Sequence, residues 1–226
     1  NNEIGTIQPI DEIAQIAKKY NIYFHTDAVQ AVGHISINVH NLGVDMLSAS
    51  AHKFNGPKGV GFLYIRNGIE ILPYSDGGAQ ESGLRAGTEN IAGIVGMAVA
   101  LKNNCDALEE NVKHVRGLES KLVDMLDNTG IQYTRNGGAD RLPGLVSLSF
   151  PGIEGEAILH RLDLNGICVS TGSACNSKST DVSHVLQAIR LEDSYAKGTI
   201  RISLGKANTE DEVEAIFNAL VKIFRI

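Results

Sequence analysis

The sequence lacks several features that would place it in a specialised class of protein. Its longest apolar stretches, such as IAGIVGMAVAL, fall short of the roughly 20 residues that span a bilayer, so no membrane segment is predicted. Positive charge is in the minority, with 20 Lys and Arg against 26 Asp and Glu, and no basic stripe is present that would neutralise phosphates. This balance argues against direct nucleic-acid binding and favours proteins or small molecules as partners.

Cysteine is also scarce. The three thiols, Cys105, Cys168 and Cys175, are odd in number and do not have the spacing of a metal site. This usage predicts free thiols in a reducing, cytoplasmic environment, with neither disulfides nor a bound metal. The sequence has no initiator Met, and its first residues have the character of the middle of a fold, so we expect a fragment of a longer protein.

What is present is the composition of an ordinary globular protein. The chain has 226 residues, of which 43% are hydrophobic and 20% charged, which is enough to build one or two cores. The first part predicts a helix from Ile10 to Tyr20 after Pro9, followed by strands at NIYFHTDA, VDMLSAS and GVGFLYI. Because these strands are mostly apolar without strict alternation, we expect an α/β fold with a largely parallel sheet.

The second part has a different pattern. Residues 90–127 predict one or two long helices, which are followed by strands at GLVSLSF, ICVS and TIRISL and helices at EGEAILHRLDLNG and near SHVLQAI. A last helix is predicted from Glu210, because Thr209 and Glu212 have the spacing of a capping box. We expect two domains: residues 1–104, the C-terminal portion of a larger domain with a mixed or parallel sheet, and residues 105–226, a smaller α/β domain.

Two charged side chains stand where predicted strands end. Asp27 ends the strand in NIYFHTDA, and Lys53 ends the strand in SASAHKFNGPKG, where small residues leave room beside the backbone. In open α/β sheets such ends can face one crevice. A lysine that forms a Schiff base and an aspartate that keeps a pyridine nitrogen protonated suit pyridoxal phosphate. The alternatives are a solvated surface charge at Lys53 and a buried ion pair between Asp27 and Lys53.

Other polar residues surround this pair in the sequence. Gln30 follows Asp27 by three residues, near enough to bond the ring hydroxyl of such a cofactor. Ser50 and His52 take alternate positions of the predicted Lys53 strand and would face a phosphate from one side. Thr88 lies in the glycine-rich DGGAQESGLRAGTEN, which either binds phosphate before the helix at Asn90 or is an ordinary connection.

Two residues of the second part have reactive or charged side chains in unusual settings. Cys175 stands among small and polar residues in VSTGSACNSKST, where we expect an exposed thiol that reacts as thiolate, the alternative being an incidental surface thiol. Cys168, among apolar residues, is expected to be buried and structural. Arg201 lies inside the strand TIRISL, where a substrate carboxylate would supply the anionic partner that it needs.

Six segments together resemble the cysteine desulfurases, fold-type I enzymes of the class-V aminotransferase superfamily. They are NNEIGTIQPI, HTDAVQAVG, SASAHKFNGPKG, GLRAGTEN, STGSAC and IRISLG, and they occur in the family's order from Asn1 to the last helix. The resemblance implies a homodimeric pyridoxal phosphate enzyme that converts L-cysteine to L-alanine and leaves the sulfur as a persulfide on an enzyme cysteine. That sulfur would pass to iron–sulfur scaffolds or other acceptor proteins. The long polar stretch around STGSAC is similar to the iron–sulfur and nitrogenase-type subgroup.

The resemblance also implies a role for each matching residue. Lys53 resembles the Schiff-base lysine, and Cys175 resembles the persulfide carrier. Contacts with the cofactor are implied for Asp27 at the pyridine nitrogen, Gln30 at the ring oxygen, Ser50 and His52 at the phosphate, and Thr88 at the phosphate of the other subunit. Asn2 and Arg201 resemble the residues that bind the substrate carboxylate.

The chain departs from this family in length. The amino-terminal part that is missing would carry a phosphate-binding glycine/threonine loop and a histidine that stacks on the pyridoxal ring. We therefore expect the chain to be inactive alone, with the missing segment supplied in the same protein or as a separate chain. The alternatives are a selenocysteine lyase or small-molecule aminotransferase of the same superfamily, and a non-catalytic binding subunit.

Overall fold

The computed structural model describes residues 1–171 and 182–224, and the chain divides into two compact units. One unit is Pro9–Leu108. The other combines Asn1–Gln8 with Glu109–Ile226. The break therefore lies four residues beyond the boundary expected from the sequence, and the first eight residues belong with the C-terminal part. That these units are the large and small domains of a longer protein stays a prediction.

The unit of residues 9–108 contains the first predicted helix and the first three predicted strands. Its elements are α1 (Ile10–Lys19), β1 (His25–Asp27), α2 (Val39–Leu42), β2 (Met46–Ser50), β3 (Gly61–Ile65) and α3 (Ile91–Asp106), with 3₁₀ turns at Ala51–Phe54 and Gln80–Gly83. The first helix is placed within one residue of its prediction. Helix α2, which spans only four residues, was not predicted.

The sheet of this unit has the order β1-β2-β3. Strands β1 and β2 are parallel, with Asp27 opposite Ser48, whereas β2 and β3 are antiparallel, with Ser50 opposite Gly61. The expectation of a largely parallel sheet is therefore wrong for the second pairing. The connection of residues 51–60 explains the difference, because it is too short for the crossover that parallel neighbours require.

The core of this unit lies between the sheet and its helices. Its fully buried side chains include Val44 and Leu47 beside the sheet and Phe54 in the turn after β2. Met97, Ala100 and Leu101 pack onto them from α3. The core of the unit therefore includes alternate residues of β2 and the two inward residues of the turn that follows it.

The second unit has the predicted alternation of strands and helices after one long helix. Its elements are α4 (Leu108–Asp127), β4 (Thr134–Arg135), β5 (Leu145–Ser149), α5 (Gly155–Asp163), β6 (Ser170–Thr171), α6 (His184–Ala188), α7 (Asp193–Ala196), β7 (Thr199–Ser203) and α8 (Glu210–Phe224). The strand order is β4-β5-β7-β6, and every pairing is antiparallel. Strand β5 is buried along its whole length. Leu122, Ile158 and Leu220, from α4, α5 and α8, share its core.

The capping box at the start of α8 is confirmed. The backbone N–H of Glu212 donates to Oγ1 of Thr209 at 3.3 Å, and the backbone N–H of Thr209 donates to Oε2 of Glu212 at 3.0 Å. The side-chain amide of Asn208 donates to the same carboxylate oxygen at 2.9 Å. These bonds, first that from Asn208 and then that from the Thr209 backbone, lower the pKa of Glu212 from its ordinary value of 4.5.

Loss of this cap is expected to weaken the second unit measurably. Replacing Thr209 with alanine should lower the free energy of unfolding by about 1 kcal/mol, whereas serine at this position keeps the hydroxyl and should be nearly neutral. The Glu212 contribution is present above the unfolded-state pKa and is lost as pH falls through the lowered folded-state pKa. Thermal unfolding of both variants at neutral pH and below pH 4 checks this, and equal melting points for the two variants would contradict it.

Among the helices of residues 1–171 and 182–224, none is both long enough and apolar enough to cross a bilayer.

Candidate active site

Two neighbouring parallel strands end at the same edge of the first sheet. Asp27 is the last residue of β1, and the backbone N–H of Ala28 donates to the carbonyl of Ser48 on β2 at 2.9 Å. The Asp27 carboxylate is exposed, and its Oδ1 accepts a hydrogen bond from the backbone N–H of Val29 at 2.9 Å. That bond fixes the orientation of the carboxylate beside the residues that follow β2.

The sequence predicted that Lys53 ends a strand. In the structure it lies on the 3₁₀ turn Ala51–Phe54 that follows β2. The turn closes because Asn55 adopts a left-handed conformation, with φ of 67°, and its N–H bonds to the carbonyl of Ala51. Residues three apart share one face of such a turn. Ala51 and Phe54 accordingly point into the core with no exposed surface, while His52 and Lys53 point outward.

The turn also brings the predicted phosphate ligands together. Oγ of Ser50 lies 2.8 Å from Nδ1 of His52, so the two side chains form a hydrogen-bonded pair. The sequence analysis placed Ser50 and His52 on the same face of one strand. In the structure the turn that begins at Ala51 brings their side chains together. Both residues are sequence neighbours of Lys53, and their binding of a phosphate stays a prediction.

The alternative of a buried ion pair between Asp27 and Lys53 is wrong. Both side chains are exposed, and no salt bridge joins them among the residues that the structure describes. Lys53 is instead exposed on a turn whose residues Ala51 and Phe54 are buried.

The other two predicted cofactor residues, Gln30 and Thr88, lie in two different loops of the first unit. Gln30 is half-buried in the turn that follows Asp27. Thr88 is exposed in the loop before α3, and the first turn of that helix is capped by Asn90, whose side chain accepts from the N–H of Gly93 at 3.1 Å. Within the described part of the chain, Thr88 makes no hydrogen bond to the strand-end residues. Its role in another subunit stays a prediction.

The second unit brings Asn2 and Arg201 together. Nη1 of Arg201, on β7, donates to the main-chain carbonyl of Asn2 at 2.7 Å, so the contact does not involve the Asn2 amide. Nε of Arg201 is buried without a hydrogen-bond partner in the described residues. A guanidinium pairs well with a carboxylate, and here one of its arms is held by the main chain of Asn2.

A buried pair beside Asn2 was missed by the sequence analysis. Glu3 and Ser183 are 6% and 8% exposed, and Oγ of Ser183 donates to Oε2 of Glu3 at 2.5 Å. The same hydroxyl accepts from the N–H of Val185 at 3.1 Å and caps α6. A serine before a helix is a capping signal. Its partner, 180 residues away, leaves no local trace in the sequence.

The exchange Ser183→Ala is expected to destabilise the second unit by about 2–4 kcal/mol, because it removes a helix cap and leaves a buried carboxylate without its donor. Urea or thermal unfolding of the full-length protein measures the effect. Ser194→Ala is the matched control, since Ser194 is exposed on α7 of the same unit. Equal destabilisation by the two exchanges would show that the Glu3 contact is unimportant.

The cysteines differ from their predicted settings where the structure describes them. Cys168 is exposed, not buried as expected. Cys105 is exposed as well. Cys175, the predicted persulfide carrier, lies outside the described residues.

Comparison with known proteins identifies the family. A family model described as aminotransferase class-V matches residues 1–216. The chain belongs to the class-V aminotransferases. A relative of this family, the cysteine desulfurase IscS of Clostridium botulinum (strain Hall), is 50% identical over 228 residues, which cover the whole of this chain and 57% of the relative. The cysteine desulfurase IscS of Methanosarcina thermophila is 47% identical over 223 residues, which cover 99% of this chain and 55% of the relative.

A solved structure supports the same family assignment. The NifS-like protein of Rickettsia africae matches the whole chain with a TM-score of 0.91 and 35% sequence identity, and 60% of that protein is covered. The mixed α/β architecture is therefore that of a fold-type I class-V aminotransferase. The chain spans little more than half the length of the curated relatives that it matches.

Class-V aminotransferases are pyridoxal phosphate enzymes, and the residues at the strand ends fit that cofactor. Lys53, exposed on its turn, would be the residue whose amine meets the aldehyde of that cofactor. The Asp27 carboxylate, which accepts from the Val29 N–H, would supply a negative charge for a pyridinium nitrogen. The hydrogen-bonded Ser50 and His52 would supply donors for a phosphate.

Proposed function

We propose that the full-length protein containing this chain is a cysteine desulfurase. It takes L-cysteine as substrate, releases L-alanine, and supplies sulfur for iron–sulfur cluster assembly or thiolation. The observation that carries the proposal is an exposed Lys53 on an anchored turn after β2, the strand that pairs with the Asp27 strand. The chain also matches proteins named cysteine desulfurase along its whole length.

The reaction is balanced without an external oxidant. L-Cysteine and the thiol of Cys175 give L-alanine and a Cys175 persulfide. The bond between the substrate β-carbon and its sulfur breaks, and a sulfur–sulfur bond forms. The β-carbon is reduced and the transferred sulfur is oxidised. The methyl group of alanine has one hydrogen more than the β-carbon of cysteine, and the thiol of Cys175 supplies it.

Each residue at the strand ends has one task in this reaction. When bound, pyridoxal phosphate supplies a ring that accepts electrons from the substrate α-carbon. Lys53 holds the cofactor and then moves a proton through Nζ. Asp27 keeps its charge at the pyridine side, Gln30 bonds the ring oxygen, and Ser50 and His52 bind the phosphate. Thr88 contributes to the phosphate site of a second subunit.

The remaining residues act on the substrate. Arg201 binds the substrate carboxylate through its guanidinium, one arm of which donates to the main chain of Asn2. Cys175 attacks the substrate sulfur as thiolate, because the thiolate is the nucleophilic form of cysteine. It then carries the persulfide to an acceptor protein, such as an iron–sulfur scaffold, in the cytoplasm.

The products formed from L-cysteine test the proposal. The full-length protein is loaded with pyridoxal phosphate and given L-cysteine, and alanine, 2-oxo acids and protein-bound persulfide are quantified. We expect alanine and persulfide in equal amounts in the first turnover. A 2-oxo acid as product would indicate an aminotransferase. Activity confined to L-selenocysteine would indicate a selenocysteine lyase, and the absence of any product would indicate a non-catalytic binding subunit.

A further inference from the structure

Two consecutive carbonyl groups of the Lys53 turn are bonded by side chains from distant parts of the chain. The carbonyl of Lys53 accepts from Nε2 of His34 at 2.8 Å, and the carbonyl of Phe54 accepts from Nδ2 of Asn104 at 2.7 Å. The carbonyl of Ala51, by contrast, is bonded within the local chain by the N–H groups of Asn55 and Gly56. The carbonyl groups in the C-terminal half of the turn are therefore held by the side chains of His34 and Asn104, which lie far from the turn in the sequence.

Asn104 is the better shielded of the two anchors. It lies on α3, is 5% exposed, and donates a second hydrogen bond through Nδ2 to the carbonyl of Ala100 at 2.8 Å. Since both neighbouring groups are carbonyls, only the amide nitrogen can face them, and the orientation of the side chain is determined. A single buried side chain thus ties α3 to the residue that follows the lysine.

The backbone near Gly33 packs closely against the same place. A Cβ at Gly33 would lie 2.8 Å from Cβ of Phe54 and 3.5 Å from Cβ of Asn104, and Gly33 has a φ of 78°. The side chain of Phe54 has no exposed surface. The Lys53 turn is therefore enclosed on its core side, and its main chain has little freedom to shift.

We propose that Asn104 and His34 are positioning residues that hold the main chain of Lys53 so that its amine meets the cofactor aldehyde. The inference rests on the proposed function insofar as Lys53 is the lysine that bonds pyridoxal phosphate. In that step Nζ forms a bond to the aldehyde carbon, and the aldehyde oxygen leaves as water with two protons from the nitrogen. Neither positioning residue touches the cofactor. His34 acts through the carbonyl of Lys53 itself, and Asn104 acts through the carbonyl of the next residue, Phe54.

Separate measurements of cofactor binding and of covalent attachment test this role. In the full-length protein, Asn104→Leu keeps the approximate volume of the side chain and removes both donors. We expect covalent attachment of pyridoxal phosphate, followed by absorbance, to slow about tenfold because the amine is less well placed. Binding of pyridoxine 5′-phosphate, which has no aldehyde, should change less than about twofold, because the Ser50 and His52 pair is untouched.

Matched variants separate positioning from general damage. Asn103→Leu makes the same change at the exposed neighbouring position of α3 and should attach the cofactor at the normal rate. His34→Leu should slow attachment, and His34→Gln, which restores an N–H donor, should recover it. If Asn104→Leu does not fold, the His34 pair decides the question.

The outcomes distinguish this inference from the proposed function. Normal attachment in the unaltered protein together with normal attachment in Asn104→Leu and His34→Leu would overturn the positioning role alone. Equal losses in attachment and in pyridoxine 5′-phosphate binding would overturn it as well, since they indicate general damage to the site. If the unaltered protein does not attach the cofactor at Lys53, both the inference and the proposed function are wrong.

Discussion

Replacing Lys53 with alanine is expected to abolish alanine formation from L-cysteine by the full-length protein. Lys53 is the exposed amine of the anchored turn, and in the proposed reaction it both holds the cofactor and moves the proton. Loss of one group with two such tasks should lower kcat by more than about 10³-fold. The turn itself should remain, because its buried contacts come from Ala51 and Phe54.

A second lysine in the same connection provides the control for this result. Lys58 is exposed between the turn and β3, and Lys58→Ala removes an equal charge without touching the proposed site. We expect it to retain nearly full activity and the absorbance of the bound cofactor. An active Lys53→Ala variant, or an inactive Lys58→Ala variant, would contradict the assignment of the reacting lysine.

Replacing Cys175 with alanine should separate cofactor binding from sulfur transfer. The variant is expected to bind pyridoxal phosphate as the unaltered protein does, because the strand-end residues are unchanged. Alanine formation should fall by at least about 10²-fold, since the nucleophile that accepts the sulfur is gone. Assays of alanine and of protein-bound persulfide measure both effects in one sample.

The two other thiols serve as matched controls. Cys105 and Cys168 are exposed, so each could receive sulfur if exposure alone decided the site. Cys105→Ala and Cys168→Ala should leave alanine formation and the persulfide yield unchanged. Persulfide formation that persists in Cys175→Ala and disappears in Cys168→Ala would move the sulfur carrier to the other cysteine.

The order of helices and strands could be predicted because their signals are local. The helical spacing of Ile10, Ile13 and Ile16 predicts α1, and the spacing of Thr209 and Glu212 predicts the cap of α8. The strand end at Asp27 was likewise predicted from the apolar run before it. Each of these features depends on residues within one or two turns of each other.

What could not be predicted depends on contacts between distant residues. The turn at Ala51–Phe54 begins where the predicted strand was expected to continue to Lys53, because Ala51 and Phe54 occupy buried positions that periodicity does not reveal. The bond from Asn104 to Phe54 joins residues 50 positions apart, and that from Ser183 to Glu3 joins residues 180 apart. Cys168 was predicted as buried because its neighbours are apolar, and it is exposed in the structure.

Peptide mapping by mass spectrometry tests the central claim most directly. The full-length protein is loaded with pyridoxal phosphate, and one portion is reduced with borohydride while another is treated with L-cysteine and an alkylating reagent. We predict the reduced cofactor on the peptide that contains Lys53 and one additional sulfur atom on the peptide that contains Cys175. A cofactor on another lysine, such as Lys58, or additional sulfur only on Cys105 or Cys168, would contradict the account.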